Sequence, residues 1–483
     1  MNQPWWIYLF LGILGLAVIT TVFDIFQKKH AISRNFPLVG RLRFLLEDVG
    51  PELRQYIVTD NNAEKPFTRD ERRWIYASAK GENNYFGFGT DNDIENTSNY
   101  TIIKHSTFPF QPDRDAVVGV EPMWSLPCAK TLGGARKREK AFIPSSIVNV
   151  SGMSYGSIGP NAVMALNKGV ALAQCLQSTG EGSVSPYHLQ GGDLVWQIGT
   201  GYFGARNDDG TFSFEKMVRV VENNPSIKAI EFKLSQGAKP GLGGMLPGEK
   251  VNAEIAEIRG IPEGIDCHSP SAHSAFSGAD SLLDLVEKVA KETGLPVGIK
   301  SAVGNLAFFE ELALLMSEDK SRGIDFISID GGEGGTGAAP LAFSDSVSLP
   351  FMTGFQRVFK IFENHKIQED IVFIGSGRLG LPERAFRAFS LGVDMISVAR
   401  ESMISIGCIQ AQRCHTGNCP TGVATSSAWL NRGLDPEIKS VRASKYIIEL
   451  RKELALLSYA CGVSHPSQIT ADMVEIINST TSN

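Results

Sequence analysis

Ile324-Asp-Phe-Ile-Ser-Ile-Asp-Gly-Gly-Glu-Gly-Gly-Thr-Gly337 is a short apolar run that stops abruptly in glycines. Alternating branched and aromatic residues read as a buried strand, and the glycines let backbone approach a ligand at its end. The same unit recurs as Ile147–Gly152, Cys175–Gly182, Ala229–Leu234, Gly264–Ser269, Pro296–Ser301, Ile371–Gly377 and Val393–Arg400. Helical periodicity separates the runs at Asn161–Ala173, Phe214–Glu222, Ser281–Glu292, Phe308–Ser317 and Glu383–Leu391. Eight strands alternating with helices over roughly 260 residues predict an α/β fold, a (β/α)8 TIM barrel, with a doubly wound open sheet as the alternative. In such a barrel the residues that carry function follow the strands, at the C-terminal face.

The predicted strand ends are rich in chemistry. Ser151-Gly-Met-Ser-Tyr-Gly-Ser157, including Met153 and Ser154, is a small-residue turn fit for backbone contact with a flat ligand. Thr179-Gly-Glu-Gly182 brings the Glu181 carboxylate to the mouth. Lys233 precedes Gln236-Gly-Ala-Lys-Pro-Gly-Leu-Gly-Gly244, which holds Lys239, and Lys300 closes a further strand. On a period of two, Lys233 and Lys300 point inward. The glycines after the sixth and seventh strands, among them Gly332, Gly335, Gly375 and Gly377, suit a phosphate, with Thr336, Arg378 and Arg400 beside them. A flavin over the mouth, its phosphate in these loops and a lysine near its N1/O2 edge, unifies the set.

Cys408, Cys414 and Cys419 fall within Gly407–Gly422 and are spaced C-x5-C-x4-C. The spacing does not match a C-x2-C zinc knuckle, although His415 would complete a Cys3His zinc site. Three irregularly spaced thiols followed by proline suit an iron–sulfur loop, and three thiolates suit a three-iron cluster. Seven cysteines, an odd number with three so grouped, fit a reducing compartment. A net charge of −6 argues against nucleic acid as a partner. Gly199-Thr-Gly-Tyr-Phe-Gly204 matches GxGxxG, but a turn and not a helix follows, so no Rossmann site is expected.

Trp5–Phe23 is uncharged and apolar, roughly 28 Å of helix, enough to cross a bilayer. Lys28, Lys29, Arg34, Arg41 and Arg43 follow it, placing the rest of the chain in the cytoplasm by the positive-inside rule. A signal peptide is the competing reading; its basic n-region and small-residue cleavage site are not evident. The expectation is a single-pass anchor in the inner (plasma) membrane. The chain thus divides into an anchor at 1–27, a flanking region at 28–145, the barrel with its cysteine loop at 146–425 and a helical tail at 426–483. Leu38–Tyr56 alternates basic and apolar residues at helical spacing and reads as a helix with a solvated face, with a helix lying on the lipid surface as the alternative; Phe67–Lys80 reads as a helix capped by Thr68, and Gly87–Arg114 as irregular. Sequons at Asn96, Asn99 and Asn478 would be idle in a cytoplasmic chain.

With these residues in place, the chain resembles the synthase domain of glutamate synthases and its stand-alone flavin-containing relatives. The resemblance is carried by Gly152–Ser157, Thr179–Gly182, Gln236–Gly244 with Leu246-Pro-Gly248, Gly331–Pro340 and Cys408–Thr425. It implies FMN and a 3Fe-4S cluster, with Cys408, Cys414 and Cys419 on the cluster. It further implies Lys300 at the flavin edge, the glycine loops with Thr336 about the flavin and its phosphate, and Glu181, Lys233, Gln236 and Lys239 at the substrate. Met245 departs from the family's glutamine, and His268–His273 from its Pro-Pro-His-His segment. Segments resembling the family's glutaminase and β-helix domains are not found, so ammonia is expected from solution, a separate subunit or an amine substrate. Ferredoxin or a separate reductase is expected to supply electrons, and a homo-oligomer is left open. The expected reaction reduces an imine of a 2-oxo acid. The rivals are an amino- or hydroxy-acid dehydrogenase running the other way, and a non-redox phosphate-binding barrel with Cys419 as nucleophile.

Overall fold

The computed structural model describes residues 4–112 and 124–477. The sequon at Asn478 and the last two residues of the Gly87–Arg114 stretch lie outside the described residues. The chain forms two compact units, Met1–Asp70 and Glu71–Asn483.

In the larger unit eight parallel strands close into a barrel. They are β1 (Val148–Val150), β2 (Leu176–Ser178), β3 (Asp193–Ile198), β4 (Ile227–Lys233), β5 (Val297–Ala302), β6 (Phe326–Asp330), β7 (Val372–Ser376) and β8 (Met395–Val398). Sequential strands are neighbours throughout, and β8 closes on β1 through the Ile396–Val148 and Val398–Val150 registers. The barrel and its strand count agree with the sequence, but one member differs. Gly264–Ser269 is not a barrel strand: Cys267–His268 pairs only with Met245–Leu246, in a two-residue antiparallel hairpin. The third strand is Asp193–Ile198, hidden between two glycine pairs. It follows β2 through a 3-10 turn at Pro186–His188, so no helical stretch announced it. Lys233 consequently ends the fourth strand rather than the third.

Alternation along the strands gives the barrel interior a gradient of polarity. Leu176, Val195, Ala229, Phe326, Val372 and Met395 pack together near the strand starts. Two or four residues further along the same inward registers stand Ser178, Gln197, Glu231, Lys233, Ser328 and Asp330. Phe142, from the segment before β1, seals the apolar end, where Leu132 and Phe142 bridge as an antiparallel pair. Ion pairs lock that floor. Arg138 meets Asp325 at 2.9 Å and Glu287 at 2.6 Å, and Lys130 meets Asp394 at 3.2 Å.

The helix Pro160–Ala173 follows β1 and packs against Pro436–Ala460, whose first turn is capped by Asp435 accepting from the Glu437 and Ile438 amides. Gly169 permits this approach: a Cβ there would stand 2.7 Å from that of Ala443. A second correction concerns Gly87–Arg114, where Tyr100–Ile103 is a strand and not irregular chain. It pairs antiparallel with Val474–Ile477. The helix Arg69–Lys80 starts immediately after Thr68, the cap position the sequence predicts.

In the smaller unit, Trp5–Phe26 is one helix of 22 residues, long and apolar enough to cross a membrane. Asp24 near its end is buried and ion-paired to Arg41 at 2.7 Å. Beyond the short helix Ala31–Asn35, the helix Arg41–Leu53 exposes Leu42, Leu45, Leu46 and Val49 as well as its charges.

Candidate active site

The mouth of the barrel is built on β4. Its sequence IKAIEFK alternates so that Glu231 and Lys233 share the inward face. Deeper in, Glu231 accepts from Gln197 Nε2 and Ser328 Oγ, both at 2.5 Å. At the rim, Lys233 Nζ lies 3.1 Å from Glu181 Oε1 and donates to Gln236 Oε1 at 3.1 Å. Glu181 reaches Lys233 because two neighbouring positions lack side chains. A Cβ at Gly199 or Gly244 would stand 2.7 Å from a Glu181 carboxylate oxygen.

Three cations surround this one carboxylate: Lys233, Lys239 and Arg259. Burial alone would raise the Glu181 carboxyl, but the lysines and Arg259 outweigh it and hold it below the usual carboxylate range. Lys239 is only 6% exposed, and among the described residues its ammonium has no hydrogen-bond or ion-pair partner. Burial lowers its pKa, against the pull of Glu181. Behind Lys233, His273 places a ring nitrogen 2.9 Å from the Lys233 carbonyl and the other 3.1 Å from Tyr202 Oη. Burial pushes His273 down to about 4, leaving it neutral at physiological pH.

Lys300 points inward as its register predicts and lies 3.5 Å from Asp330. Asp330 also accepts from the Gly237 amide at 2.8 Å, and Gln236 Nε2 donates to the Gly335 carbonyl at 2.8 Å. The loop after β4 is thereby fastened over the loop after β6. On the opposite rim, Ser151, Met153 and Thr179 are buried. Gly180, at φ +70°, lies so close to Ser154 that a Cβ would stand 2.5 Å from its amide nitrogen. Ser178 Oγ, at the end of β2, is buried with no hydrogen-bond partner among the described residues.

The two glycine loops join each other: the Gly331 amide donates to Ser376 O at 2.8 Å, and Gly332 donates to Leu349 O at 2.9 Å. Gly375 packs under Phe351, Gly377 has φ +147°, and Thr336 Oγ1 donates to the Ala338 carbonyl at 3.3 Å. Three guanidinium groups stand together near these loops. Arg378 lies 3.5 Å and Arg384 2.7 Å from Glu71, while Arg400 donates to the Glu333 carbonyl. Burial depresses the pKa of Arg378, and the charges of Arg384 and Arg400 add to the effect. A polar mouth with an unsatisfied Ser178 hydroxyl, glycine loops and clustered guanidinium groups fits a flat ligand carrying a phosphate.

Cys408, Cys414 and Cys419 lie beyond β8 and the short helix Arg400–Ser405. Cys408 and Cys414 are half-buried and Cys419 is buried. Tyr76 Oη donates to the Cys408 carbonyl and Lys250 Nζ to the Cys414 carbonyl, each at 2.7 Å. Among the described residues no three His, Cys, Asp or Glu side chains converge as one ion requires. Three cysteine thiols in one loop are a donor set of the kind an iron–sulfur cluster takes.

Among the residues here that were not picked out from the sequence are Glu231, Lys250, Arg259, Asp330 and Arg384. Glu231 and Asp330 were accessible to the same period-of-two count that placed Lys233 and Lys300. Arg259 and Lys250 carry no local signal. They reach the site through the excursion between β4 and β5, where Arg259 donates to the Tyr155 carbonyl at 2.9 Å and lies over the Phe203 ring.

Fold and site define a (β/α)8 barrel with buried cations at its mouth and a loop of three thiols after its last strand. The family described as the conserved region in glutamate synthase matches residues 124–464, and the chain belongs to that family. The glutamate synthase large subunit-like protein YerD of Bacillus subtilis is 37% identical, over 96% of this chain and 94% of its own length. The archaeal glutamate synthase (NADPH) of Methanocaldococcus jannaschii is 33% identical over 66% of this chain, which spans 59% of that relative. Among solved structures, a flavocytochrome b2 variant with sulfite bound is 14% identical over 85% of this chain and 84% of its own, at a TM-score of 0.45.

Proposed function

We propose that the chain is a flavin-dependent oxidoreductase of the glutamate synthase type, acting on an imine of a 2-oxo dicarboxylic acid with ammonia or an amine. The observation that carries this reading is the unpartnered Lys239 ammonium, buried beside the Glu181–Lys233 pair and Arg259. Three cations about one carboxylate leave positive charge for a dianionic substrate. FMN would be held by the loops after β1, β6 and β7 with Arg378 and Arg400, and a 3Fe-4S cluster by Cys408, Cys414 and Cys419. When bound, FMN supplies hydride chemistry and the cluster supplies single-electron transfer.

The chain's own residues then have distinct tasks. Lys239 and Lys233 bind the substrate carboxylates. Glu181, held ionised, accepts a hydrogen bond from the nitrogen partner and orients it. Lys300, steadied by Asp330, places a positive charge at the mouth where negative charge develops. The Gln236–Gly335 bond holds the covering loop down and keeps water out. Trp5–Phe26 would tether this machinery to the plasma membrane with the barrel in the cytoplasm, and ferredoxin or a separate reductase would deliver electrons.

Purified full-length protein tests the reading directly. Flavin absorbance, about three irons per chain and reoxidation of the reduced protein by 2-oxoglutarate with ammonia support it; neither flavin nor iron overturns it. Cys408→Ser should abolish the iron signal. Retained iron-free turnover would instead favour the barrel with a nucleophilic Cys419. Met245, 47% exposed on the rim hairpin, supports a second direction in which an amino or hydroxy acid is oxidised. Stopped-flow reduction of the oxidised protein by candidate acids separates the two.

A further inference from the structure

Lys250 belongs to neither the substrate pocket nor the cysteine loop, yet it connects them. It closes a 3-10 turn, Gly248–Lys250, in the same excursion between β4 and β5 that carries Lys239. The residue is 5% exposed, and its Nζ donates to the Cys414 carbonyl at 2.7 Å. Its side-chain stem packs on Gly417, where a Cβ would stand 3.5 Å from Lys250 Cε. The ammonium thus sits against the backbone of the cysteine loop, at Cys414 and Gly417. Among the described residues no carboxylate pairs with it, whereas Lys233 and Lys300 each have one and Lys130 has two.

A buried cation without a carboxylate costs stability unless something negative sits beside it. The thiolates of a bound cluster would be that partner, and a further electron on the cluster would add to the negative charge. We infer that Lys250 is a positioning and tuning residue that raises the reduction potential of the iron–sulfur centre. It makes this centre a better electron acceptor and ties its loop to the segment that binds substrate. The inference rests on the cluster proposed above.

The experiment is a redox titration of full-length protein followed by electron paramagnetic resonance, comparing wild type with Lys250→Gln, Lys250→Met and Lys250→Arg. Glutamine keeps a donor to the Cys414 carbonyl and removes the charge; methionine removes both. Lys250→Gln and Lys250→Met should both shift the ratio of reduced to oxidised centre at a fixed potential at least tenfold toward oxidised, or 59 mV for one electron. Lys250→Arg should stay near wild type, and the flavin potential should hold in all three. A wild-type protein without the iron signal sinks the cluster reading itself. With the signal present, an unchanged potential in Lys250→Gln overturns the inference, because the lysine then only braces the loop. A shift confined to Lys250→Met overturns it for the same reason. Loss of iron from both uncharged variants also overturns it, since Lys250 would then build the site rather than tune it.

Discussion

The two ends of the barrel use charge in opposite ways. At the floor, Arg138 is shared between Asp325 and Glu287, and Lys130 is met by Asp394 and two backbone carbonyls. At the mouth, Lys233, Lys239 and Arg259 share the single carboxylate of Glu181, and Lys239 has no direct partner among the described residues. Burying a charge is unfavourable in either place. The floor offsets that penalty within the chain, and the mouth leaves part of it for a ligand to offset. Charge is matched at the floor, whereas at the mouth Lys239 is left without a direct partner among the described residues despite the Lys233–Glu181 and Lys300–Asp330 pairs beside it.

Breaking the floor should give the largest effect. Arg138→Met leaves Asp325 buried and Glu287 without its bidentate partner, and should lower the unfolding free energy by about 3–5 kcal/mol. Denaturant unfolding checks this; a loss as small as that of an exposed pair would erase the contrast.

Next comes a pH effect centred on the mouth. His273 has a folded-state pKa of about 4 against an ordinary 6.5. Its folded pKa is depressed, so the unfolded chain binds the proton more readily. The stability it contributes is full above 6.5 and is lost as pH falls from there through about 4. About 3 kcal/mol is at stake. His188, buried and pushed down to about 3, adds a loss of the same sign. His273→Gln should flatten, without abolishing, the fall of stability between pH 6.5 and 4, read from unfolding curves across that range.

Glu181→Gln should reduce kcat/KM about 100-fold, or about 2.7 kcal/mol, with a smaller stability change than Arg138→Met. The smallest effect is the most discriminating. Lys239→Met should raise KM for a dicarboxylic 2-oxo acid about tenfold while raising the unfolding free energy by about 1 kcal/mol. A stability loss would place Lys239 with the floor charges instead.

The sequence made the barrel legible because most strands pair an apolar run with a polar or glycine stop. It failed at Asp193–Ile198, where DLVWQI lies between glycine pairs and the preceding connection contains a 3-10 turn instead of a helix. Counting strands from helices between them therefore skipped it, and Gly264–Ser269 filled the gap. At the site, Lys233 and Lys300 were readable from alternation because strand geometry fixes where a side chain points. Arg259 and Lys250 were not, because their positions depend on how a long excursion folds back over the mouth. No local period encodes that. Gly199 and Gly244 show the same limit: both make room for Glu181, yet neither pattern names the carboxylate it accommodates.

The pairing of Tyr100–Ile103 with Val474–Ile477 has a consequence for biosynthesis. A strand made early in translation finds its partner only after Val474–Ile477 has left the ribosome. Throughout the synthesis of the barrel, the segment ahead of it must wait with an open backbone edge. The apolar helix Trp5–Phe26 emerges long before that, so any insertion into a bilayer precedes closure of the larger unit. Premature termination near residue 470 would leave all eight barrel strands in place but an unpaired, aggregation-prone strand at Tyr100–Ile103, a product that quality control would have reason to destroy.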